Sequence, residues 1–466
     1  MIAEPSSEAA QPSTRDGLQR SVAVAALACL VAGCAVGVWL AGILLWPEAG
    51  RLAQSVTYGR WMPVHLNLHL FGWCSLPAVG VLMFRMLPPG RGWLTAAQAA
   101  LAAWAGALAA GSLDWLGGRT SGKLFLDWSG ADEVAFTAAQ ALLWVVLVAG
   151  WFAQMRRGGW RLPARWADAL LLAMLAGVPL ALHFSAQRSV YPPVNPDSGG
   201  ATGHSLLASS LGVVGIALVL PALLARPIRA RIVQEAITIA LIYASNWAVY
   251  GYIGRGNASN HDAEQIAGLG TLLLWPGLLV WWFRQYRWEA SQRRWMVTAA
   301  TWCALLVANG FILFLPGVLD RLKFTNALVA HSHLAMAGLL TALNMLLLIS
   351  VEPRSALARR LDRRGPWLAW NGAAAGMIGG LTGIGFAEAG DPLFLTMGST
   401  TVTLGYTLRL VCGIAMLAAA LQWFRSGVQA RLVRSEQASP SADPGAVQRP
   451  RLERTPRPSS RPSHAT

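Results

Sequence analysis

At 466 residues the chain has the length of about three soluble domains, yet 55% of its residues are hydrophobic and only 13% are charged. A soluble globule carries about a quarter charged residues, so a water-soluble fold is excluded. The net charge of +15 falls in short arginine clusters between apolar runs, a mark of membrane topology and not of nucleic-acid binding.

A bilayer core about 30 Å thick needs roughly 20 apolar residues at about 1.5 Å rise each. Residues 1–20 are mostly polar, contain acids and lack a short apolar core with a small-residue cleavage site. They predict a cytoplasmic tail ahead of a retained helix. Apolar runs then predict membrane helices near Val22–Trp46, Met62–Met86, Trp93–Leu113, Val134–Phe152, Ala167–Phe184 and His204–Leu224. The second half adds Ile232–Ile253, Ile266–Phe283, Trp295–Leu319, Thr325–Val351, Trp367–Phe386 and Val402–Phe424. Residues 21–425 thus read as an all-α integral membrane domain of about twelve transmembrane helices. Residues 426–466 turn to Arg, Pro and Ser with little to bury, and predict a disordered, basic cytoplasmic tail.

Arginine placement sets the orientation. Alternate connections carry clusters: Arg156, Arg157, Arg161 and Arg165; Arg226, Arg229 and Arg231; Arg284, Arg287, Arg293 and Arg294; Arg354, Arg359, Arg360, Arg363 and Arg364. The remaining connections carry scattered bases such as Arg51, Arg119, Lys123 and Arg188. Positive loops stay inside, so both termini are expected in the cytoplasm of a bacterial inner (plasma) membrane.

The five cysteines, Cys29, Cys34, Cys74, Cys303 and Cys412, each lie in an apolar stretch, with no CxxC and no CxxCH. That argues against a thiolate metal site, a redox dithiol and covalent haem attachment. Histidines carry more. With the directions above, His65, His204, His331 and His333 lie near the starts of inward-running helices and share the outer part of the membrane. His183 ends an outward-running helix, and His261 sits in an outer loop. An ionisable side chain at such depth is a functional hypothesis by default.

His331 and His333 are two apart and point about 200° apart on a helix, so they cannot grip one ion together. They suit a helix wedged between two haems, each iron taking a neutral imidazole nitrogen, or a polar channel lined by two hydrogen-bonded histidines. His65 and His69 are four apart and share a face. One can ligate iron while the other is a hydrogen-bond partner, or both can hold one metal; His69 reads better as the core or partner histidine. Arg409, inside the last helix, needs a counter-charge, and no Asp or Glu lies in that helix. A haem propionate, a lipid headgroup or a distant carboxylate would serve.

Several stretches resemble subunit I of the haem-copper oxidase superfamily, and within it the cbb-type cytochrome c oxidases and nitric oxide reductases. Gly59-Arg60-Trp61-Met62-Pro63-Val64-His65-Leu66-Asn67 is similar to the second-helix motif, whose His ligates the low-spin haem. Val329-Ala330-His331-Ser332-His333 is similar to the tenth-helix HxH, which supplies the high-spin ligand and then the second low-spin ligand. Gly203-His204 opens the sixth helix as a copper-ligand His does, and Arg409-Leu410-Val411-Cys412-Gly413 resembles the last helix, where an Arg lies near haem groups. The likeness spans roughly Arg60 to Phe424. It implies a subunit I-like bundle with a low-spin haem on His65 and His333, and a high-spin haem on His331 near His204.

One departure matters. The family's seventh helix carries two adjacent histidines that complete a copper or non-haem iron site; here it reads Ile242-Tyr243-Ala244-Ser245-Asn246-Trp247-Ala248-Val249-Tyr250. His261 is the sole histidine between His204 and His331, so the three-imidazole copper site is not built in the family's way. Tyr243 either echoes the active-site tyrosine of cbb-type enzymes or fills a helix interface. The expectation is a respiratory haem protein that carries electrons through the low-spin haem to a high-spin haem that binds or reduces O2 or NO. The alternatives are a copper-free dihaem protein for electron transfer or gas binding, and a haem-free transporter with histidines along a proton path. A c-type cytochrome or quinol donor and accessory membrane subunits would be its partners, since no extramembrane redox domain is encoded.

Overall fold

Inside a bilayer each backbone N–H and C=O must be satisfied within the protein, which a helix does with its own chain. The structure, a computed structural model, describes residues 12–51, 57–120, 126–158, 163–187, 203–228, 232–254, 259–391 and 400–437. Its long helices are α1 (Pro12–Leu45), α2 (Tyr58–Met86), α3 (Arg91–Leu116), α4 (Gly130–Gly158), α5 (Pro163–Ala186) and α6 (Gly203–Leu224). They continue as α7 (Val233–Tyr252), α8 (Ala263–Phe283), α9 (Ala290–Phe314), α10 (Asn326–Val351), α11 (Arg364–Gly390) and α12 (Thr400–Gln437). Among the described residues, ten helices are long and apolar enough to cross a membrane. The protein is therefore an all-α, multi-pass membrane protein. Helices α7 and α11 stand where the seventh and eleventh runs were expected but are not among the ten. Gln234, Glu235 and Asn246 dilute the first, and Asn371 with a series of glycines dilutes the second.

The sequence places the helices well and their ends less well. Helix α1 starts inside the expected N-terminal tail, and α12 runs past Phe424 to Gln437. No proline lies between Phe424 and Pro440, so nothing stops the helix at the end of the apolar run. The expected tail beyond 437, residues 1–11, and parts of the arginine-bearing connections (159–162, 188–202 and 229–231) lie outside the described residues.

Helix α10 is the most enclosed of the ten candidate spans. It packs against α2, α9 and α11, while α1 packs along α12, α2 and α3. The approach is closest at Gly385, where an added Cβ would overlap the Ala327 backbone nitrogen; small residues let membrane helices come together in this way.

Two π-helical segments interrupt the central helices, Leu68–Trp73 in α2 and Leu334–Leu340 in α10. A π turn loosens the hydrogen-bond ladder and frees carbonyls, and such turns are frequent at functional sites. The two segments are satisfied alike. A hydroxyl five residues on bonds one carbonyl: Ser75 Oγ donates to Leu70 O (2.9 Å) and Thr341 Oγ1 to Met336 O (3.0 Å). An indole from a neighbouring helix bonds the next carbonyl: Trp104 Nε1 donates to Phe71 O and Trp370 Nε1 to Ala337 O, each at 2.8 Å. Trp73 Nε1 donates to Thr341 Oγ1 at 3.0 Å and ties the two segments together. Each segment also holds a glycine at a close approach, Gly72 against Cys29 and Gly338 against Trp302.

Candidate functional site

The π segments begin beside the histidines singled out by sequence. His69 is the second residue of the first, and His333 immediately precedes the second. His65, His69, His333 and Arg409 come within electrostatic reach of one another: His65 of His69, His333 and Arg409, and His333 of Arg409. Helices α2, α10 and α12, some 340 residues apart at the extremes (409 − 65 = 344), thus converge on one place.

Hydrogen bonds fix which nitrogen each imidazole offers. His65 Nδ1 lies 2.8 Å from Gly33 O, and His333 Nδ1 lies 2.8 Å from Val329 O. A carbonyl oxygen only accepts, so Nδ1 carries the proton and Nε2 of each neutral ring holds the lone pair. Metal-ligating histidines are oriented in this way by a partner on their other nitrogen. His69 is disposed differently. Its ring stands edge-on to His65 at 4.8 Å, and its Nε2 would lie 2.7 Å from a Cβ placed on Gly33, so that nitrogen is turned to the α1 backbone. A Cβ on Gly37 would come within 2.8 Å of His65 Cε1. Gly33 and Gly37, one turn apart, form a groove on α1 that a side chain would close. Sequence reasoning passed over both, although their four-residue spacing on a membrane helix is a legible signal of close approach.

Arg409 is half-buried beside these rings. Glu388, the acid on α11, accepts from Asn326 through both the backbone N (2.6 Å) and Nδ2 (2.5 Å). Among the described residues no hydrogen bond or ion pair reaches the Arg409 guanidinium. A cation of this kind calls for an anion close to the two imidazoles.

On the other side of α10 a cavity of about 680 Å³ opens between α6, α8, α9 and α10. His331 lines it, amid walls that are mostly apolar, such as Leu206, Trp275, Val307 and Leu339, with Ser209, Ser210, Thr301 and Arg284 among them. Its size lies within the range of small-molecule and cofactor sites, about 300–1,000 Å³. His331 Nδ1 lies 2.8 Å from Asn309 Oδ1 on α9. His331 and His333 thus serve separate environments on opposite sides of one helix, as their two-residue spacing requires. The residues fit haem: among the described residues, His65 and His333 each present an Nε2 with no partner beside an arginine with no counter-charge, and His331 lines a mostly apolar cavity.

No protein-family model matches the chain, and no curated protein matches it.

The remaining sequence candidates fall elsewhere. His204 stacks on Tyr250 with ring centroids 4.1 Å apart, and its backbone N–H donates to Gln265 Oε1 at 2.9 Å. It is not among the residues that line the cavity, whose α6 wall starts at Leu206. Tyr243 donates its hydroxyl to Leu211 O at 3.0 Å, bridging α7 to α6 in the helix interface. His183 pairs with Glu133 (2.6 Å) and His261 with Asp320 (3.0 Å). The Asp320 carboxyl, in the connection between α9 and α10, is held below its ordinary range first by the Gly317 N–H and then by His261. His261 therefore serves the connection between α9 and α10. Among the described residues no three His, Cys, Asp or Glu side chains converge on a point where they would hold a metal ion.

Proposed function

We propose that this chain is a membrane-embedded dihaem protein, similar to subunit I of the haem-copper oxidases, with twelve transmembrane helices and both termini in the cytoplasm of a bacterial inner membrane. His65 and His333 would hold a low-spin haem between α2 and α10, Arg409 would meet its propionates, and His331 would hold a high-spin haem in the cavity beyond. The observation that carries this reading is the shared state of His65 and His333: both spend Nδ1 on a carbonyl, and among the described residues neither Nε2 has a partner and the arginine beside both has no counter-charge.

When bound, haem supplies a one-electron couple at each centre and, where an axial position stays open, affinity for a diatomic gas. The chain's part is positioning. Gly33 and Val329 carbonyls hold the Nδ1 protons and so keep His65 and His333 in one tautomer. The largely apolar walls between α6 and α10 offer water few partners on the face that His331 borders. Electrons would arrive from a partner cytochrome or quinol.

The surroundings of His204, His183 and His261 favour one form of this reading over another. Each is engaged away from the cavity, and Tyr243 is committed to the α6–α7 interface, so nothing described assembles a second metal beside His331. A copper-free dihaem protein that transfers electrons or binds gas is preferred to an oxidase with a full bimetallic centre. Reduced-minus-oxidised and carbon monoxide difference spectra of the purified chain test the proposal. Sharp bands of six-coordinate ferrous haem together with a separate carbon monoxide-reactive fraction are expected; a well-folded but colourless protein would leave the transporter reading in its place.

A further inference from the structure

We propose that Asn309 and Gly310, adjacent on α9, are the seat of His331 and set how strongly it binds an axial iron. The inference rests on the reading of His331 as a haem ligand and adds the residues that position it.

Three imidazoles line the candidate site with Nδ1 engaged, and one is engaged differently. His65 and His333 donate to backbone carbonyls, those of Gly33 and Val329. His331 alone meets a side chain, the Asn309 Oδ1 at 2.8 Å. The partner of His333 lies four residues back in its own helix and only orients the ring against α10. Asn309 belongs to another helix, so it fixes the His331 ring against α9 and, through it, against the cavity that α9 walls. Gly310 makes the approach possible: a Cβ there would stand 3.0 Å from His331 Cε1, and the ring would have to give way. One residue grips Nδ1 while the next yields room to Cε1, which leaves Nε2 as the lone-pair nitrogen for the cavity.

The acceptor's chemistry then decides ligand strength. A carboxylate in this place would draw the Nδ1 proton toward itself and make Nε2 a stronger donor, whereas a neutral amide oxygen does so weakly. Orientation matters as much. If the amide presented Nδ2, Nδ1 would become the acceptor, the proton would sit on Nε2, and no iron would be bound there. Asn309 is a positioning residue: it touches neither iron nor gas and acts through His331.

The test uses the full chain, purified with its haem, and reads the iron–histidine stretching band of the ferrous high-spin haem by resonance Raman spectroscopy. Asn309→Leu should lower the frequency and broaden the band, because the ring loses its partner. Asn309→Asp, which keeps the shape and the acceptor, should raise the frequency above that of the parent. Gly310→Ala should broaden the band and reduce the carbon monoxide-reactive share of the haem. In all three the low-spin spectrum should persist, which reports an intact fold. A parent-like band in both Asn309 variants would overturn the role of Asn309 while the haem reading stands. Absence of any carbon monoxide-reactive haem in the parent would overturn the reading itself, and this inference with it.

Discussion

At the scale of single residues the account turns on which nitrogen of which histidine is free. His65→Ala and His333→Ala should each abolish the sharp absorption of six-coordinate ferrous haem, because in the proposed low-spin centre each Nε2 would be half of an axial pair. His69→Ala should retain most of it, since the Nε2 of His69 already faces the α1 backbone. A full low-spin spectrum in the His65 variant would transfer the ligand to His69. Widening Gly37 to Val should weaken the same spectrum without replacing a ligand, because its Cβ would press on His65 Cε1. Copper is a separate matter. A single monodentate imidazole holds it weakly, and three neutral nitrogens are what such a site ordinarily needs. Metal analysis of the purified chain should find well under one copper per chain. Stoichiometric copper that is lost in His183→Ala or His261→Ala would show that one of these histidines reaches the cavity after all. Much of this was legible in the sequence: the spacing of His331 and His333 already required two separate environments. Asn309 was not, because a hydrogen-bond acceptor from a distant helix has no periodicity to betray it, whereas the four-residue spacing of Gly33 and Gly37 was a signal that the reading passed over.

At the scale of elements the matched π segments are the least expected feature, and nothing in the hydropathy pattern announces them. Apolar runs report that a helix is buried and not how its ladder is wound. Their stability depends on donors from outside the segment, so losing one should cost as much as stranding a buried carbonyl. Trp370→Phe and Trp104→Phe should each destabilise the protein by about 1–3 kcal/mol, and Thr341→Val should do the same by depriving both Met336 O and Trp73 Nε1 of their partner. Thermal unfolding in detergent, compared with Trp281→Phe at an exposed indole, measures this; equal stability across the set would refute the accounting. Because His333 immediately precedes the second segment, Trp370→Phe should also broaden the low-spin absorption. The helix ends, by contrast, were misjudged for an ordinary reason: the apolar run at the end of the sequence stops at Phe424, but helix-forming residues carry α12 on to Gln437.

At the scale of the whole molecule the sequence already marked an all-α, multi-pass membrane protein, since long apolar runs are sums over many residues and tolerate local error, and arginine asymmetry adds an orientation to them. The orientation they imply is directly testable. A reporter active solely in the cytoplasm should work when fused after Gln437, and one active solely in the periplasm should fail there. The opposite result would invert the depth assigned to every histidine. The central claim, however, is that α10 stands between two haems, one on each side. Haem content per chain, measured together with the fraction that reacts with carbon monoxide, tests it most directly. The account predicts two haems per chain with about half reacting, since His331 leaves an axial position open while His65 and His333 close theirs. A monodisperse, helical protein that carries no haem, or one whose entire haem content reacts with carbon monoxide, would contradict it.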